Sequence, residues 1–95
     1  RRIEEENVAR LINIGFGNII STDKILTIVT PDSAPAKRLI QKAKETDHII
    51  DATQGRRTKS ILILETNHII LSALVPETIA ARIKEQEHEK KEVEK

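Results

Sequence analysis

Ninety-five residues make at most one small domain, whose own core leaves a thin margin of stability. The absence of cysteine excludes a disulfide framework and any thiolate metal site, and fits a reducing, cytoplasmic setting. Sixteen Lys and Arg against fifteen Asp and Glu leave a net charge of +1, so overall charge gives no sign of a nucleic-acid partner.

The start, Arg1-Arg2-Ile3-Glu4-Glu5-Glu6, has no signal-peptide pattern, and residues 1–10 read as a charged lead-in, frayed or briefly helical. From Leu11 the texture becomes apolar. Leu11–Ile14 is a strand candidate, Gly15-Phe16-Gly17-Asn18 a tight turn, and Ile19–Ser21 the returning strand. Lys24–Val29 is β-branched and extended. Pro31-Asp32-Ser33 breaks it and caps a helix over about Ala34–Glu45, with Pro35 where its missing N–H costs nothing. Ala36, Leu39, Ile40 and Ala43 share one face of that helix, while Lys37, Arg38, Lys42 and Lys44 fall mostly on the other.

Ile49–Ala52 is a short strand and Thr53–Thr58 a polar connection. Ser60–Leu64 and His68–Leu71 form a hairpin around Glu65-Thr66-Asn67. Pro76-Glu77 opens a second helix with an apolar stripe at Ile79, Ala80 and Ile83. Residues 84–95 form a Lys/Glu tail that i,i+4 pairs can keep helical but that has no face to bury, so exposure or disorder is expected. The class is α+β, a small domain of antiparallel hairpins with two helices, over residues 11–83. The longest apolar runs, Ile25–Val29, Ile61–Leu64 and Ile69–Leu74, fall well short of the roughly 20 residues that span a bilayer. No membrane role is expected.

Phe16 is the single aromatic residue, so the core is built of Ile, Leu, Val and Ala. So small a core favours burial against further copies of the chain, as a homo-oligomer. A lone Gly15-Phe16-Gly17 step lacks the third glycine and the strand-to-helix context of a phosphate loop, and reads as a turn. His48, His68 and His88 share no metal-ligand spacing, and neither a nucleophile elbow nor paired acids stand out. An enzyme is not expected, nor a metal or other cofactor.

The near-neutral total hides a basic middle. Between Lys37 and Lys59 lie Lys37, Arg38, Lys42, Lys44, Arg56, Arg57 and Lys59 against Glu45, Asp47 and Asp51, while the acids are concentrated in Glu4-Glu5-Glu6 and in the tail Glu85–Glu94. Gly55-Arg56-Arg57-Thr58-Lys59 is the chief candidate site. Glycine permits close backbone approach, arginine forks pair phosphate oxygens, and Thr58 can add a contact. A solvated surface loop is the competing reading.

Several strings are unusual in combination: Asn13-Ile14-Gly15-Phe16-Gly17-Asn18, Pro31-Asp32-Ser33-Ala34-Pro35 with Lys37-Arg38, Ile50-Asp51-Ala52-Thr53 with Gly55-Arg56-Arg57-Thr58, Asn67-His68-Ile69-Ile70-Leu71-Ser72, and Pro76-Glu77-Thr78. In this spacing the chain resembles the RemA-like family of bacterial extracellular matrix regulatory proteins, over roughly Leu11 to Ile83. The resemblance implies a fold related to LytTR-type DNA-binding domains and a transcriptional regulator of biofilm matrix genes without a helix-turn-helix. It also implies a closed ring, an octamer by expectation, around which double-stranded DNA wraps. Arg56 and Arg57 match the family's paired DNA-contacting arginines. Lys24 stands where an arginine is expected, keeping the charge without the bidentate fork, and Pro31 matches a sensitive loop proline. Lys37, Arg38 and Lys59 are secondary DNA contacts, or for Lys37 and Arg38 interface ion pairs. Gly15 and Gly17 shape a structural loop. The alternative function is a non-enzymatic assembly factor or protein-binding adaptor that uses the same ring.

Overall fold

The computed structural model describes residues 10–94, so the reading of the lead-in falls almost wholly outside the described residues. Strands β1 (Leu11–Asn13) and β2 (Ile19–Ser21) form a two-stranded hairpin. A 3₁₀ turn over Thr22–Lys24 leads into β3 (Ile25–Val29), then helix α1 (Ala34–Glu45), β4 (Ile49–Asp51), β5 (Ser60–Leu64), β6 (Ile69–Ser72) and helix α2 (Pro76–Glu94). Lys24 thus belongs to the turn before the strand rather than to the strand itself. The order in the main sheet is β3-β5-β6-β4.

The α+β class holds with one correction, because β4 pairs with β6 in parallel. Antiparallel β3–β5 and β5–β6 pairings then leave β3, β6 and β4 running one way and β5 the other. A hairpin cannot join two parallel strands at opposite edges, so α1 makes the crossover from β3 to β4 across one face of the sheet. The β-branched dipeptide Ile49-Ile50 carries no mark of its partner's direction, so local sequence does not distinguish the parallel pairing from an antiparallel one.

Alternation in the central strands sends side chains to two cores. Ile61, Ile69 and Leu71 pack with Ala36 and Ala43 of α1. Leu62 and Ile70 face the other way, onto Ile12 and Ile14 of the β1 strand and its extension and Ile79 of α2. The domain is therefore three layers: α1, the four-stranded sheet, and the hairpin beside α2. Helix α1 starts as expected, with Ser33 Oγ accepting from the Ala36 N–H at 3.2 Å. It ends where Asp47 turns to φ 61° and the His48 N–H returns to the Ala43 carbonyl at 2.8 Å. Helix α2 runs on through the Lys/Glu stretch to Glu94.

Two buried serines tie the layers together. Ser72 Oγ donates to the Ile14 carbonyl at 2.7 Å, and Ser60 Oγ donates to the Leu74 carbonyl at 2.5 Å. Both serines are fully buried, so each hydroxyl needs an acceptor within the protein and finds it in one of these carbonyls. On the outer side of β1, Arg82 Nη1 donates to the Asn13 carbonyl and Gln86 Nε2 to the Leu11 carbonyl, each at 2.6 Å. Alternate residues of a strand point their carbonyls the same way, so these two are the ones turned from β2. Two strand residues span roughly 6.6 Å and four helix residues roughly 6 Å, which lets one helix face serve both.

Candidate functional site

The segment joining β4 to β5 is held at both ends by β6. The Ala52 N–H donates to the Leu71 carbonyl at 2.9 Å and the Lys59 N–H to the Ser72 carbonyl at 2.8 Å. Between them Asp51 Oδ1 accepts from the Thr53 N–H at 2.9 Å and from Thr53 Oγ1 at 2.6 Å. The Arg56 N–H then donates to the Thr53 carbonyl at 2.9 Å. The two central residues of that turn, Gln54 and Gly55, have φ of 55° and 78°, the pattern of a type I′ turn, which glycine accommodates without strain. Arg56 and Arg57 follow at once and are exposed.

Asp51 is the anchor of this turn. The Thr53 hydroxyl holds its carboxyl below the ordinary 3.8, the Thr53 N–H and the charge of Lys44 add to this, and slight burial opposes it. A folded value below the unfolded one contributes stability that is complete above the unfolded value and is lost as pH falls through the folded one. The Thr53 amide resonance is therefore expected to titrate with a midpoint below 3.8 in an NMR pH series. A midpoint at or above that value would remove Asp51 as the anchor.

A second loop meets the first. In the β1–β2 turn the Ile14 N–H donates to the Asn18 carbonyl at 2.8 Å, Asn13 Oδ1 accepts from the Gly15 N–H at 2.6 Å, and Gly15, Phe16 and Gly17 all have positive φ (114°, 55° and 78°). A Cβ on Gly15 would stand 3.5 Å from Leu74 Cγ, so space is available there and the backbone angle is what calls for glycine. The turn carries Phe16 to within 5.6 Å of the Arg56 guanidinium carbon, measured to the ring centre. Between the loops and α2 lies an open groove of about 870 Å³, whose lining includes Asn13, Phe16, Arg56, Arg57, Lys59, Leu74 and Arg82. Among the described residues that line it, four are cationic and none is acidic.

The expected basic residues are thus only partly brought together. Arg56, Arg57 and Lys59 share the groove. Lys24 stands at the far end of β5, since Ile25 pairs with Leu64, and its Nζ lies 3.9 Å from Glu65 Oε2 with both side chains well exposed. Lys37 and Arg38 lie on α1, on the sheet face opposite the hairpin, and Lys37 is exposed while Arg38 is exposed beside it. Pro31 is half-buried between β3 and α1. Sequence reasoning missed Arg82, which sits on α2 between Ile79 and Ile83 and so beside the buried stripe. A long basic residue flanking an apolar stripe is placed to lay its stem on the core and reach outward, and that was the available signal. His48 and His68 face each other across β4 and β6 with ring centres 4.7 Å apart. No cluster of three metal-ligating side chains occurs among the described residues. Among those residues no helix is long and apolar enough to cross a membrane.

A family model described as RemA-like, extracellular matrix regulatory protein A-like, matches residues 11–83. The chain is 64% identical over 72 residues to a protein of Fervidobacterium nodosum, covering 76% of this chain and 77% of that one. It is 55% identical over 80 residues to a protein of Caldicellulosiruptor saccharolyticus, covering 84% and 79%. With a protein of Acetivibrio thermocellus it shares 54% identity over 84 residues, covering 88% and 90%. All three carry names that describe them as regulatory proteins.

Proposed function

The chain belongs to the RemA-like family of regulatory proteins, and from that premise we propose that it is a cytoplasmic, DNA-binding transcriptional regulator without catalytic activity. Arg56 and Arg57 are its principal phosphate contacts, with Lys59 beside them, and matrix genes of biofilms are its expected targets. The observation that carries this reading is the groove in which Arg56, Arg57, Lys59 and Arg82 converge, with no acidic side chain among the described residues that line it. Phosphate is the biological anion that such a set of forks and ammonium groups fits.

The working unit is a homo-oligomeric ring. Two features support it: among the described residues no further strand pairs with the edge strands β3 and β4, and Leu11, Ile19, Leu26 and Ile50 are half or more exposed. Edge strands that run the same way suit head-to-tail association of like subunits, which closes into a ring when the rotation allows. Repetition turns one groove into a belt of positive charge, so modest contacts sum. The cations of the groove lie on the β4–β5 connection and on α2, in a set suited to phosphates, so shape and bendability of the duplex would matter more than base edges.

The test is binding to duplexes of increasing length across a salt series. Affinity is expected to rise with length until one circuit is filled and to fall steeply with salt. The log–log slope should be near −0.9 for each phosphate neutralised. Affinity indifferent to both length and salt would transfer the groove to an acidic protein partner.

A further inference from the structure

Phe16 is the only aromatic residue of the chain, yet it is 49% exposed while the neighbouring core is made of aliphatic side chains. Burial within the subunit does not account for it. Turn geometry does not either: φ of 55° is a conformation that Gly and Asn adopt readily and that opposes a bulky side chain. Strain of this kind at an exposed apolar residue points to a function for the side chain. The ring lies beside the Arg56 guanidinium on the wall of the cationic groove. Its neighbours there, Arg56, Arg57, Lys59 and Arg82, are suited to phosphates and cannot supply a broad apolar contact. Ala73 and Leu74 also line the groove, but Phe16 alone offers the flat ring face that can stack on a base.

We infer that Phe16 is a wedge that enters a base step of double-stranded DNA while the cations around it hold the flanking phosphates. This deepens the DNA-binding reading above and rests on it. An apolar side chain pressed into a base step partly unstacks it and bends the duplex, and a phenyl ring compensates by stacking on the exposed base face. Repeated once per subunit, such bends would bring a stiff duplex around a small ring, where smooth bending alone is costly. Steps that unstack easily, pyrimidine–purine steps above all, would be favoured, which gives a sequence preference without a recognition helix.

The test uses the full chain with duplexes carrying 2-aminopurine at successive positions, whose fluorescence rises on unstacking. Phe16→Asn removes the ring and suits the turn's backbone angle; Phe16→Leu keeps an apolar side chain without the ring. Saturating protein is used, so that weaker binding alone cannot lower the signal. The wild type is expected to raise the fluorescence at particular positions. Phe16→Asn is expected to bind with the same salt slope and roughly tenfold lower affinity, with the rise abolished at saturation. Phe16→Leu should lie between the two. A bound wild type that leaves every position stacked, or a Phe16→Asn complex with the wild-type signal, overturns the wedge and leaves phosphate binding intact. A wild type that binds no duplex overturns both readings together.

Discussion

Replacing Arg56 and Arg57 together by alanine is expected to lower affinity for duplex DNA at least about a hundredfold at moderate salt, leaving the fold intact. Hydrogen bonds to charged groups contribute roughly 1.5–3 kcal/mol each, and a hundredfold loss is under about 3 kcal/mol. Removing both forks from every subunit therefore exceeds that threshold, even if only a few subunits engage the duplex at once. The salt slope should become shallower too, by about one for each phosphate that is no longer neutralised. Both side chains are exposed, and the turn below them is held by main-chain bonds and by Thr53. Thermal stability should therefore change by about 0.5 kcal/mol or less per surface replacement. The contact of Arg56 with Phe16 adds on the order of 0.5–1 kcal/mol. Fluorescence anisotropy with labelled duplex, beside a melting curve and size-exclusion chromatography, separates these effects. Lys24→Ala is the internal control, because that residue stands at the opposite end of β5 beside Glu65, and it should cost far less. Equal binding by the double variant would refute the proposed site.

The second large effect is on stability. Ile79→Ala is expected to cost about 2–5 kcal/mol, because Ile79 is fully buried between α2, the β1 region and the central strands. For a domain of this size about 1 kcal/mol moves the melting point by roughly 4–8 °C, so a shift of roughly 8 °C or more should be seen. The damage also reaches the groove, since Arg82 stands on the same helix and is held to Asn13 only while α2 is docked. Denaturant and thermal melts at fixed protein concentration measure it, the concentration mattering for any oligomer. A change under about 1 kcal/mol would mean that α2 is not part of the cooperative unit.

How far the sequence alone reaches can be judged from particular elements. The helix start at Ser33-Ala34-Pro35 was legible because capping is local chemistry, and the β5–β6 hairpin because two apolar runs flank a short polar turn. The parallel seat of β4 was not, since strand direction is decided by where a crossover lands and no residue of Ile49–Asp51 encodes that. In the site, the arginine pair announced itself through Gly55 and clustered charge. Its meeting with Phe16 did not, because the two loops are far apart in sequence and are brought together by tertiary contacts, among them the shared core of Ile14 and Ala52 and the bonds from Ser72 to Ile14 and from Asn18 to Ala52. Arg82 was hidden for the same reason, being a helical cation among many until α2 is laid against β1.

The paired bonds from Arg82 and Gln86 to Asn13 and Leu11 act as a key with two teeth. A strand offers the same carbonyl direction every second residue and a helix the same face about every fourth, so the two scales coincide here over one interval. If α2 slid by a turn, only one of these two teeth could still meet a carbonyl of β1, and a slide by one residue would rotate both away. The helix is thereby indexed against the hairpin, and the height of the Arg82 guanidinium in the groove is fixed by the position of Asn13. In a diverging lineage positions 82 and 86 are accordingly expected to drift as a couple, each free to change only where a donor of similar reach is retained at both.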